Sequence, residues 1–180
     1  MTVLVTTTII GPLVAAALAL ALRSRPQLRD VVTLLGLAAS TASAFGILYR
    51  VANSGSVAIR VGEWPRELGI VLVADLFAAL VLPIALSIIL VVELFAIGQR
   101  RTAWGANPEL AGPLLLVLTS GVSLAILTGD LFTLFVAFEL ILVSSYVLLT
   151  HQGRRGQVRS GMTYVVMNLF ASTLFLFGLA

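Results

Sequence analysis

Leu131-Phe132-Thr133-Leu134-Phe135-Val136-Ala137-Phe138-Glu139-Leu140-Ile141-Leu142-Val143-Ser144-Ser145-Tyr146-Val147-Leu148-Leu149-Thr150 contains one charged side chain, Glu139, and neither Gly nor Pro. A helix rises about 1.5 Å per residue, so this run covers about 30 Å, the thickness of a bilayer's hydrocarbon core. Lipid offers no partner for backbone N–H and C=O groups, and an α-helix satisfies its own. The stretch reads as a membrane-spanning helix with a carboxyl group near its middle.

Outward from this run the same pattern repeats. Spans are expected at about 2–22, 31–52, 69–97, 112–128, 131–150 and 161–180. Of the 180 residues 59% are hydrophobic and 11% charged, whereas a hydrated globular surface needs about a quarter charged. The mean hydropathy is +1.10. The fold class is therefore all-α transmembrane: a polytopic bundle of about six spanning helices, read as a single transmembrane domain over 1–180. The first span is not expected to be a cleavable leader, because its charges follow the apolar run instead of preceding it. The chain closes on Leu174-Phe175-Leu176-Phe177-Gly178-Leu179-Ala180 with no polar flank, and it is expected to be the front part of something longer.

Charge gives the orientation. Arg23, Arg25 and Arg29 follow the first span, Arg100 and Arg101 the third, and Arg154, Arg155 and Arg159 the fifth. The opposite side has Arg50, Arg60 and Arg66, offset by Glu63 and Glu67. The positive-inside rule puts the N-terminus outside and the three arginine groups in the cytoplasm. Trp64, in the longest outer loop, suits the interfacial aromatic belt. A net charge of +3 spread over many loops is no nucleic-acid footprint. Cysteine is absent, which removes disulfides and thiolate metal sites; no metal site and no cofactor are expected.

Glu139 is the residue that needs a reason. A carboxylate at mid-bilayer costs several kcal/mol unless paired, hydrated or protonated, and such acids mark ion and proton paths. The bland alternative is a neutral Glu making a structural hydrogen bond between helices. Tyr146 and Thr150 lie seven and eleven positions further, on nearly the same helix face. That face could line a hydrated half-channel, or simply hold a belt tyrosine and a helix-end threonine. Span six has a stripe at Tyr164, Asn168 and Ser172, and span four has Thr119, Ser120 and Ser123; each set serves either as interhelical glue or as a water path. Asp75 and Glu93 fall near the two ends of span three and read as interfacial, with Pro83 between them. His151 stands at the cytoplasmic edge, as a surface residue or a proton donor. Asp130 is placed to cap the helix that carries Glu139. Intramembrane protease motifs fail: Leu127 stands where an aspartyl protease needs glycine, and Leu124 follows Gly121-Val122-Ser123 where a serine protease needs another.

Leu127-Thr128-Gly129-Asp130-Leu131-Phe132-Thr133-Leu134-Phe135-Val136-Ala137-Phe138-Glu139, followed by Ser144-Ser145-Tyr146, resembles the fifth-span region of the antiporter-like membrane subunits. These include the D subunit of Mrp-type multi-subunit sodium/proton antiporters and the proton-pumping subunits of respiratory complex I. Gly62-Glu63-Trp64-Pro65, the run Gly69–Asp75 and Tyr164-Val165-Val166-Met167-Asn168-Leu169 are similar to the Mrp D branch in particular. Ala137 and Thr133 depart from the aromatic and Asn expected at those positions.

The resemblance implies a subunit of about fourteen spans in the bacterial inner (plasma) membrane. Its partners would be other membrane subunits, the lipid bilayer, sodium ions and protons. It also implies that Glu139 is the fifth-span glutamate that pairs with a lysine in the seventh span; residues 1–180 contain no lysine. The activity implied is transport and not enzymatic catalysis. The alternatives are a membrane subunit of a redox-driven pump, as in complex I or a membrane-bound hydrogenase, and a non-transporting scaffold.

Overall fold

The computed structural model describes residues 1–61, 69–99, 108–150 and 155–179. Six helices form the body: α1 (Thr2–Ala21), α2 (Pro26–Ser54), α3 (Leu76–Gln99), α4 (Pro108–Leu127), α5 (Leu131–Thr150) and α6 (Arg155–Leu179). All six are long and apolar enough to cross a membrane. Helix α2 opens on Pro26, whose fixed φ and missing N–H suit a first turn. It closes at Gly55, where φ is +81° and a side chain would be strained.

An antiparallel hairpin sits between α2 and α3. Strand β1 (Val57–Val61) pairs with β2 (Ile70–Ala74), with Val57 opposite Ala74 and Val61 opposite Ile70. This differs from the expectation of one helix from Gly69 to Ile97. The run Ile70-Val71-Leu72-Val73-Ala74 is apolar in either conformation, and periodicity cannot separate a short buried strand from a helical segment. Its branched residues suit the strand, and Asp75 sets the helix start by accepting the Ala78 N–H at 2.7 Å. Helices α2, α4 and α6 each begin before the apolar run that announced them, since a helix can continue into polar flanks.

Helix α1 packs on α2 and α4, α2 on α3, α4 on α5, and α5 on α6. Small residues permit close approach: a Cβ at Gly36 would lie 2.6 Å from Ala15 Cβ. Near the hairpin, Val5, Ile47, Leu82 and Leu127 are buried together with Leu72 and Ala74 of β2, which seats the hairpin in the helix core. Buried hydroxyls mostly turn back to their own helix, as Thr33 to Arg29 O and Thr119 to Leu115 O. Ser120 instead donates across the α1–α4 interface to Ile9 O at 2.6 Å. The outside is oily: Phe77, Phe95 and Phe170 are each about two-thirds or more exposed, as expected where lipid or other membrane helices are the solvent.

Candidate functional site

Helix α5 begins at a turn of three residues, Thr128-Gly129-Asp130. Asp130 caps it: Oδ1 accepts the Thr133 N–H at 2.6 Å. Burial works against ionisation of this carboxyl, but the hydrogen bonds it accepts from Thr133, Val71 and Phe132 prevail and hold it below the usual carboxylate range. Glu139 then lies nine residues along, about 13.5 Å down the axis and close to the middle of the span.

Half-buried, Glu139 faces α6, and Ser172 Oγ donates a hydrogen bond to its Oε1. The two side chains border a cavity of about 220 Å³ between α5 and α6, which Tyr146, Tyr164 and Asn168 also line. Asn168 Nδ2 is buried with no hydrogen-bond partner among the described residues. An amide donor left unpaired in a cleft beside a carboxyl group is suited to a transient acceptor such as water. On the other side of Glu139 aromatic rings join Asn168 and Ser172. A neighbouring cavity of about 270 Å³ is lined by Phe135, Phe138 and Phe175, among others. Phe135 and Phe175 stack with ring centroids 6.2 Å apart. Thus Tyr146 and Tyr164 extend the lining from Glu139 toward the Arg-rich end, while phenylalanines line the hairpin side.

The sequence-nominated residues divide accordingly. Glu139, Tyr146, Tyr164 and Asn168 share one cavity. Thr150 turns its hydroxyl to Tyr146 O at 2.9 Å, on its own helix. His151 lies outside the described residues. Asp75 is exposed at the start of α3, and Pro83 is buried within that helix. Glu93 is only 2% exposed, so near the end of α3 its side chain packs inside the bundle. A Cβ at Gly112 would come within 3.4 Å of its Oε1 and 2.9 Å of Thr33 Oγ1. Arg29, read as a loop charge, is also buried, paired with Asp30 at 3.0 Å in the first turns of α2. Ser172 stood in the span-six stripe, but its selection as the Glu139 partner depends on how α6 is rotated against α5. Among the described residues no group of three His, Cys, Asp or Glu could hold a metal.

Comparison with known proteins decides the family. Residues 128–180, which hold the whole α5–α6 site, match the family described as NADH:quinone oxidoreductase/Mrp antiporter, TM. The D subunit of the Na(+)/H(+) antiporter of Alkalihalophilus pseudofirmus is 43% identical over 130 residues, covering 72% of this chain and 26% of the relative. The chain belongs to the family of Mrp antiporter D subunits. Its counterpart in a probable K(+)/H(+) antiporter of Rhizobium meliloti is 37% identical over 140 residues, 74% of this chain and 25% of that protein. The structure of the Mrp complex from Dietzia sp. DQ12-45-1b contains a chain that superposes with a TM-score of 0.87 at 33% identity, covering 99% of this chain and 34% of that one. This Mrp-family chain therefore spans about a quarter of the length of those two relatives and a third of the solved chain. Together with the six apolar helices, these relatives make it a multi-pass protein of the bacterial plasma membrane.

Proposed function

We propose that this chain is the proton-handling front part of an Mrp D subunit that exchanges cytoplasmic sodium for external protons within a multi-subunit membrane complex. Glu139 is the protonatable group. The observation that carries this reading is the placement of Glu139 at mid-span, facing a cleft that it shares with Ser172 and Asn168. As a carboxylate it accepts from the Ser172 hydroxyl; as an acid it needs an acceptor, which the hydroxyl oxygen, the Asn168 side chain or water in the cleft can supply. Tyr146 and Tyr164 extend a polar route toward the cytoplasm, while the Phe135–Phe175 stack limits access from the hairpin side. A lysine in the seventh span, which the family resemblance implies, would bias the proton on and off as it approaches or withdraws.

The test is Glu139→Gln in the complete complex, reconstituted in vesicles with a proton gradient. Gln keeps shape and hydrogen bonds but releases no proton, so sodium-dependent proton flux should vanish while assembly persists. Glu139→Asp should retain part of the flux. Undiminished flux in the Gln variant would reduce Glu139 to a structural role. A membrane subunit of a redox pump, which the matched family also contains, would use the same carboxyl group but move protons only when an electron donor is supplied.

A further inference from the structure

Asp130 makes more contacts than a helix cap requires. One oxygen, Oδ1, accepts the Thr133 N–H. The other, Oδ2, accepts the Val71 N–H of strand β2 at 3.3 Å. Beside it the Gly129 N–H donates to Val71 O at 2.7 Å, and Thr128 forms an isolated bridge with Leu72. The α4–α5 turn is thus laid along the free edge of the hairpin. The fit leaves no room: a Cβ at Gly129 would stand 2.6 Å from Val73 Cγ2 and 3.3 Å from Val71 O. The hairpin is itself anchored, because Leu72 and Ala74 are buried among the residues of α2 and α3.

These contacts restrain α5 along its axis at one end, and the hydrogen bond from Ser172 to Glu139 lies further down the same helix. Helices are stiff over such a distance, and an O–H···O hydrogen bond is confined to about half an ångström of donor–acceptor distance and weakens steeply as its angle bends. We propose that Asp130 is a positioning residue for Glu139: by tying the first turn of α5 to strand β2, it holds the Glu139 carboxyl in register with Ser172 across the α5–α6 cleft. The consequence for transport rests on Glu139 being the proton site, whereas the positional effect does not.

The two oxygens can be separated. Asp130→Ser keeps a good helix cap but has no second oxygen for Val71. Val71→Pro removes the other end of the tie, and since the Val71 N–H points at Asp130 and not at β1, it takes no donor from the hairpin ladder and leaves the Asp130 side chain in place. Both variants, and Ser172→Ala, are made in the complete complex in lipid. The carboxyl band of Glu139, assigned by its loss in Glu139→Gln, is followed by infrared difference spectroscopy alongside sodium-dependent proton flux per assembled complex. Asp130→Ser and Val71→Pro should each move the band in the direction that Ser172→Ala moves it, and lower flux about tenfold, the scale of one charge-assisted hydrogen bond. Asp130→Asn, which can keep one of the two bonds, should fall between. A native band in both assembled variants overturns the proposal, whatever the flux. If only one variant assembles, its band decides. Failure of both to assemble also overturns it, since Asp130 and its tie would then serve the fold alone. A displaced band with flux that survives even in Glu139→Gln would uphold the positioning and sink the transport role of Glu139.

Discussion

Gly121 is where helix α4 touches the part of α5 that carries the carboxyl group. A Cβ there would stand 2.8 Å from Ile141 Cγ1, 3.2 Å from Ile141 N and 3.3 Å from Ala137 O. Ordinary carbon contacts are about 3.5–4.0 Å, so α5 must retreat by roughly half an ångström. The side chain of Ile141 is branched and cannot simply swing clear, and the two backbone atoms cannot move without the helix. Gly121→Ala gains about 1 kcal/mol of helix propensity against an overpacking cost of about 1–3 kcal/mol, leaving a small net loss. Gly121→Val adds two methyl groups to the same space and should cost about 3 kcal/mol, roughly a hundredfold in the folding equilibrium. Since Ala137 and Ile141 bracket Glu139, flux should fall as well. Gly98, near the end of α3, is the control, for among the described residues nothing lies within 4 Å of a Cβ placed there. Thermal or denaturant unfolding of the purified complex should rank Gly98→Ala at or above the native protein, with Gly121→Ala below it and Gly121→Val lowest. A Gly121→Val variant as stable and active as Gly98→Val would refute the packing argument.

Other consequences can be checked separately. With single cysteines at Ser54 and Gln157, an impermeant reagent added outside should label Ser54 alone, as eight arginines on one side against three require; labelling of Gln157 alone would reverse the orientation. Ser172→Ala should leave assembly intact but reduce sodium-dependent proton flux about tenfold, the scale of a hydrogen bond to a charged group; native flux would make that bond incidental. Because the Asp130 carboxyl is held below its ordinary range, the stability it supplies is complete above about pH 4 and is lost as pH falls through the lowered value. Unfolding of the complex followed from pH 6 to pH 3 should therefore show a loss of stability that Asp130→Asn lessens, and identical slopes would exclude Asp130 as a contributor.

Six helices long and apolar enough to span, and the place of Glu139 midway along one of them, were legible from residue order alone. The cost of bringing a peptide group or a charge into hydrocarbon is paid residue by residue, so hydropathy and charge along the chain carry that information. The family resemblance was legible too, because its motif is contiguous from Leu127 to Glu139. Other features depend on which surfaces meet. Ile70–Ala74 is as apolar as any helix turn, and it is a strand because β1 supplies its ladder and the α4–α5 turn lies along its other edge. The positions of Glu93 and Arg29 near span ends do not show that packing of the bundle buries both side chains. Ser172 was one of several polar residues on span six, and only the rotation of α6 against α5 sets its hydroxyl on Glu139. Helix rotation and pairing are settled by side-chain volumes meeting across interfaces, such as Gly121 beneath Ile141, and hydropathy along one chain holds no record of its neighbours.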